Sequence, residues 1–111
     1  MAHTPWLVVT TVGSADEARA MARTMVERRL AACAQISAIE SVYRWQGQVE
    51  QQGEFRLLFK TRAERYAELE AAIRAIHPYQ LPAIHALPTV QAFAPYADWV
   101  VASTQPESGA D

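Results

Sequence analysis

The stretch from Ser41 to Thr61, SVYRWQGQVEQQGEFRLLFKT, constrains the fold more than any other part of the chain. Ile39, Ser41, Tyr43 and Trp45 share one parity before Gln46-Gly47, and Val49, Phe55, Leu57 and Phe59 share one parity after it. Period-two alternation about a short glycine-containing turn predicts a β-hairpin. A strand from Ala34 to Trp45, rising about 3.3 Å per residue, reaches roughly 40 Å. The helices predicted below reach only about 25 Å at about 1.5 Å per residue. Some of the hairpin therefore has to overhang the core. An overhang carrying Tyr43, Trp45 and Val49 is expected to be a surface for another subunit.

The flanking segments supply the core. Trp6 to Val12 is a β-branched run that Gly13 stops, and its apolar residues of both parities predict a central strand covered on both faces. Ser14-Ala15-Asp16-Glu17 has the spacing of a capping box. The helix it opens carries Ala18, Met21, Ala22, Met25, Val26 and Leu30 on one stripe. In the first hairpin arm the apolar parity shifts near Ala38, which predicts a bulge or bend, and Gly53 in the second arm is expected to kink in the same way. Thr61-Arg62-Ala63-Glu64 reads as a second capping box, before a helix with Tyr66, Leu69, Ile73 and Ile76 inward and an end at Pro78. A strand from Ala83 to Leu87 follows, and Pro95 opens a last helix with Tyr96, Trp99 and Val100.

The order is β-α-β-β-α-β with an additional C-terminal helix. This is the α+β, ferredoxin-like arrangement: an antiparallel sheet with helices on one face and an extended hairpin from its second and third strands. Residues 1–104 are expected to form one domain and 105–111, small and polar, a disordered tail. With 111 residues the chain can bury about two thirds of its unfolded surface. One layer of helices leaves the other sheet face to be covered by association.

Composition excludes several functions. A net charge of −2 gives no basic surface for nucleic acid or an anionic membrane. No segment approaches the roughly 20 apolar residues of a membrane span. Cys33 is the only cysteine, so no intrachain disulfide can form. The N-terminal MAHTPWLVVTTVG lacks a basic leader, and the expected location is the cytoplasm. No glycine-rich phosphate loop follows the first strand, Glu68 and Glu70 point to different helix faces, and Glu50 and Glu54 are expected to be solvated on the hairpin surface. Nothing here predicts an enzyme.

Arg29-Leu30-Ala31-Ala32-Cys33, Tyr43-Arg44-Trp45-Gln46-Gly47, Lys60-Thr61-Arg62, His77-Pro78-Tyr79 with Pro82, Ala86-Leu87-Pro88 and Tyr96-Ala97-Asp98-Trp99 stand in the order and spacing of the CutA family, the divalent-cation tolerance proteins. The resemblance runs from about Leu7 to Ala102. It implies a ferredoxin-like protomer that assembles as a homotrimer through its hairpins, with a shape related to PII-like signalling trimers. It also implies a role in tolerance of copper and other divalent cations, and, from the animal members, in anchoring acetylcholinesterase as a scaffold. No catalytic activity or required cofactor comes with it.

Copper or zinc needs three or four converging thiolate, imidazole or carboxylate ligands. This chain offers Cys33, His3, His77 and His85 without CxxC, HxH or HExxH spacing. Some bacterial relatives carry a cysteine at the end of the first strand and a His-His pair before the Pro-Tyr. Those positions here are Thr10, Ile76 and His77, and Ala83 stands where relatives often have a glutamate. His77 and Cys33 are thus the candidate metal ligands. Against that, Cys33 also reads as a small buried hydrophobe and His77 as a cap on the helix C-terminus. His3 is expected to be mobile.

A second candidate is an intersubunit cleft lined by Trp45, Lys60, His77, Tyr79 and Trp99 that takes a small anionic ligand. Lys60, the only lysine, is its anion contact, and its expected place is where the hairpin base meets the His77 to Pro82 loop. Tyr43 and Trp45, with no basic surface beside them, read as trimer-interface anchors together with Val49.

Overall fold

The computed structural model describes residues 4–106. His3 and residues 107–111 of the expected tail lie outside them. The elements are β1 (Trp6–Val12), α1 (Ala15–Glu27), β2 (Cys33–Trp45), β3 (Gln48–Thr61), a 3-10 turn (Ala63–Arg65), α2 (Tyr66–Ile76), β4 (His85–Pro88) and α3 (Ala94–Ser103). The four strands form one antiparallel sheet in the order β2-β3-β1-β4, the ferredoxin-like arrangement. No described helix is long and apolar enough to cross a membrane.

Local chemistry sets α1. Ser14 accepts the Glu17 amide at 3.1 Å. At the other end Arg29 turns left-handed, with φ of 61°. Its amide reaches Val26 O and that of Leu30 reaches Met25 O, both at 3.0 Å, closing the helix and burying Leu30. The second capping box does not form. Thr61 is the last residue of β3, paired with Trp6, and its hydroxyl donates to Leu30 O at 2.8 Å. That bond satisfies a carbonyl beyond the end of α1, and α2 starts instead through the 3-10 turn after Arg62.

The core lies between α1, α2 and one sheet face: Val8, Val12, Met21, Met25, Leu57, Phe59, Leu69 and Ile73 are buried there. Ile76, expected inward, is half exposed at the end of α2. β1 is central, yet only one of its faces is covered. Val8, Thr10 and Val12 are buried, whereas Leu7, Val9 and Thr11, on the other face, are partly exposed. Lys60 alternates with buried Phe59 and so points to this second face, where α3 brings Tyr96 to 5.6 Å from its ammonium. The last strand begins at His85 rather than Ala83, because pairing with β1 starts at Val9↔His85.

The hairpin runs as an unbroken ladder from Cys33↔Lys60 to Trp45↔Gln48. The expected bulge at Ala38 and kink at Gly53 are absent. The parity shift has another cause: Ile36 lies opposite Leu57 on the helix side, while Ile39 lies opposite Glu54 on the other face. The two halves of the arm direct their apolar residues to different neighbours without changing register. Gln46 and Gly47 close the turn with φ of 50° and 81°, the two-residue geometry whose twist matches the strands.

β1 ends opposite Phe55, so residues 48–54 of β3 pair with β2 alone. This ribbon projects roughly 20 Å at about 3.3 Å per residue and accounts for a molecule 46 Å long and 20 Å thin. Val42 and Val49 on the ribbon are 66% and 65% exposed, and Tyr43 is exposed beside them.

Candidate functional site

The chain after α2 folds back over the open end of β1. Pro78 cannot continue the helix, and His77 turns to an extended ψ of 133°. The amide of Tyr79 donates to His77 Nδ1 at 3.1 Å. The ring proton is therefore on Nε2, which donates to Thr11 O at 2.9 Å and lies 3.1 Å from Thr10 Oγ1. His77 is thus a strut between the end of α2 and β1, not a cap on the helix carbonyls. Burial pushes its pKa down, against opposing pulls from Thr11 O and the carboxylates of Glu17 and Glu54, so the neutral ring is favoured.

The strut aims Tyr79 across the sheet. Its hydroxyl donates to Glu54 Oε2 at 2.6 Å, and Ser41 Oγ donates to Glu54 Oε1 at 2.7 Å. Glu54, expected to be solvated, is only 7% exposed. Burial raises its pKa, but the bonds from Tyr79, Ser41, Gln52 and Thr11 together outweigh that and hold it below the ordinary carboxylate value. Burial, reinforced by the hydrogen bond to the Glu54 carboxylate, pushes the Tyr79 phenol far up. The pair is one ionised carboxylate and one fixed neutral donor.

Above Glu54 opens a cavity of about 910 Å³ between the ribbon and the Pro78–Ala83 loop. Thr11, Tyr43, Trp45 and Leu81 line it with the Glu54–Tyr79 pair.

The five expected cleft residues separate into two groups. Trp45 and Tyr79 line this cavity, with His77 directly behind and its ring centroid 4.9 Å from that of Tyr79. Lys60 and Trp99 belong to the other end of the hairpin, where Trp99 stacks on Tyr96 at 5.7 Å and is itself 47% exposed. The loop after α2 thus meets the middle of the hairpin at Glu54, not its base at Lys60. Twelve positions of β3 separate Lys60 from Gln48, the partner of Trp45, or roughly 40 Å. Within one chain these groups do not share a cleft.

The metal candidates are also apart. Cys33 pairs with Lys60, whereas Thr10, which His77 touches, is opposite Leu57, itself paired with Ile36. Three residue steps along the strand and two strand spacings separate them, roughly 14 Å from the usual dimensions. Cys33 is a partly exposed free thiol rather than a fully buried one. His85 is exposed on β4. Among the described residues no three His, Cys, Asp or Glu side chains gather where they could hold a metal ion. Thr10 and His77 do converge, but a hydroxyl and an engaged imidazole replace a thiolate and free imidazoles. The residues within one chain do not fit a copper or zinc centre.

The fold as a whole recurs in known proteins. Residues 6–103 match the family model of the CutA1 divalent ion tolerance protein. The chain belongs to the CutA family. Over 99 residues it is 41% identical to the divalent-cation tolerance protein CutA of Thermus thermophilus, covering 88% of this chain and 96% of that one. Identity to the Archaeoglobus fulgidus protein of the same name is 36% over 93 residues, covering 84% and 91% of the two chains. The solved Archaeoglobus structure, described as a periplasmic divalent cation tolerance protein, superposes with a TM-score of 0.89 at 33% identity, over 91% of this chain and 99% of that one. The Thermus structure gives 0.87 at 40% identity, over 91% and 99%. These proteins are named for tolerance of divalent cations and not for a catalysed reaction.

Glu54 is the site residue that sequence reasoning missed. Its parity beside Glu50 gave the default of a solvated strand face, and no local signal marks the loop that covers it.

Proposed function

We propose that this chain serves divalent-cation tolerance, copper included, as a homotrimer that binds its ligand without transforming it. The observation that carries the reading is the ribbon of residues 39–54, which leaves its own domain with Tyr43 and Val49 exposed, beside a sheet face that α1 and α2 do not cover. Both surfaces call for copies of the same chain. Trp45 at the ribbon end joins Tyr43 and Val49 as interface anchors. Copper or a similar ion is then held between copies, with Cys33, which points away from the helical layer, and His77, once its ring gives up the bond to Thr11 O, donated by different chains. Light scattering is expected to give three protomers; a stable monomer refutes the assembly. Calorimetric titration with Cu²⁺ and Zn²⁺, with His77→Ala and Cys33→Ala in parallel, tests the metal role. Absence of heat at micromolar metal refutes it. The lone cysteine supports a cytoplasmic location, and cell fractionation tests it against the periplasmic description of the Archaeoglobus relative.

A second reading, a PII-like signalling or binding trimer, is favoured by the cavity over Glu54. A thermal-shift screen in which metabolites raise the melting point and metals do not supports it over the first. An anion contact at Lys60 belongs to this reading only through a cleft shared by two copies.

A further inference from the structure

Glu54 is a buried charge with no opposite charge beside it. It is 7% exposed, its hydrogen bonds come from neutral donors, and it forms no ion pair among the described residues. A carboxylate held in this way keeps an uncompensated charge, and a cation placed against it is strongly favoured. Lys60 has the complementary want. It is partly buried, its ammonium lies over the Tyr96 ring, and it too forms no ion pair among the described residues. Arg62 and Arg65, the other arginine or lysine side chains among the described residues that are not exposed, already meet Glu64 and Glu68. Arg44 at the cavity wall and Arg56 on β3 are exposed, so water solvates them.

The two cannot meet within one chain. They lie on the same face of β3, roughly 20 Å apart at about 3.3 Å per residue. Tyr43 and Trp45, which wall the cavity above Glu54, are also the proposed interface anchors, so a second copy reaches that cavity. The Lys60 end of a copy presents an ammonium together with Tyr96 and the half-exposed Trp99. The cavity presents a carboxylate among Tyr43, Trp45 and Leu81. Charge thus faces charge, and aromatic surface faces aromatic surface. We propose that Lys60 of one copy pairs with Glu54 of the next, so that the cavity is a polar socket completed by a second chain. Each copy gives one cation and receives one, a head-to-tail contact that closes into a ring. Tyr79 is a positioning residue, holding the carboxylate for the incoming ammonium. The same contact carries Cys33, the cross-strand partner of Lys60, toward the loop that begins at His77. The inference rests on the homotrimer reading and deepens it by naming the charges that set its register.

A double-mutant cycle in the full chain tests the pair, with Glu54→Gln, Lys60→Gln and the two combined. The readout is the protomer concentration at which light scattering shows half dissociation, taken in subdenaturing urea if the parent assembly does not dilute apart. Each single change is expected to raise that concentration by about tenfold or more, the size of a broken buried charge pair. Side chains roughly 20 Å apart in one chain act independently, so their costs add unless the two meet across copies. The combined variant is therefore expected to be no worse than the weaker single one. Lys60→Arg keeps the charge and is expected to retain most of the assembly. Charge reversal supplies a second readout: Glu54→Lys and Lys60→Glu are each expected to assemble poorly alone and to co-assemble when mixed, because mixing restores opposite charges at the shared contact. Melting curves verify that the variants fold. Should Glu54→Gln not fold, Glu54→Asp takes its place in the cycle, and a reversal variant that does not fold leaves the decision to the cycle. Additive costs, or folded reversal variants that do not co-assemble, overturn the proposal; a trimeric parent then leaves the assembly reading standing, whereas a monomeric parent overturns both.

Discussion

Replacing Tyr79 with Phe removes one hydroxyl and leaves the ring on His77. The lost bond is the 2.6 Å contact to Glu54, which is charge-assisted and sits where the carboxylate is only 7% exposed. Bonds to charged groups contribute about 1.5 to 3 kcal/mol net. Ser41, Gln52 and Thr11 still serve Glu54, so the lower end applies, about 1.5 kcal/mol near pH 7. For a domain of this size that lowers Tm by about 5 °C or more. The pH dependence gives the sharper test. The folded pKa of Glu54 lies below its ordinary 4.5, so the native state holds fewer protons than the unfolded chain in that window. Its stabilisation is complete above the unfolded value and is lost as pH falls through the folded one. The penalty of Tyr79→Phe should therefore be full near neutrality and should shrink toward that of a neutral bond, about 0.5 to 1 kcal/mol, in acid. Urea unfolding by circular dichroism, at one fixed protomer concentration because association contributes to stability, measures both. A penalty equal at both pH values, or no penalty near neutrality, refutes the account of Glu54 as a buried, ionised acceptor.

Other outcomes follow from the same contacts. The folded pKa of His77 is lowered, so its contribution is complete above the unfolded value of 6.5 and declines as pH drops toward the folded one; His77→Gln should flatten the stability profile in that window, measured by urea titration across pH. Val49→Glu adds charge to a ribbon position that is 65% exposed in one chain, so it should leave helix content by circular dichroism unchanged while reducing the mass found by light scattering. The double variant Thr10→Cys with Ile76→His places a thiolate and a second imidazole beside His77, and calorimetry should register tighter Zn²⁺ binding than the parent; equal affinity would mean that the His77 bonds to β1 are too strong to yield.

How much of this was legible in the sequence depends on the range of the interactions. The order of elements, the hairpin about Gln46-Gly47, the cap at Ser14 and the excess length of the hairpin arms all follow from period, turn residues and rise per residue. Each depends on neighbours a few positions apart, and the family motifs reinforce them. The missing bulge at Ala38 marks the limit of that reasoning, because parity reports which side is apolar but not what lies against it. Thr61 offers a similar lesson: its hydroxyl is drawn to Leu30 O, 31 residues away, and abandons the local cap.

The sequence by itself determined a ferredoxin-like chain with a projecting hairpin, since backbone geometry and hydrophobic period are local properties. Only the tertiary structure decided the site. The Tyr79–Glu54 bond spans 25 positions and the His77–Thr10 contact spans 67. The fold of the loop after Pro78 over the end of β1 removes Glu54 from water, and this desolvation, which no local pattern encodes, turns a routine strand carboxylate into the buried charge at the floor of a cavity.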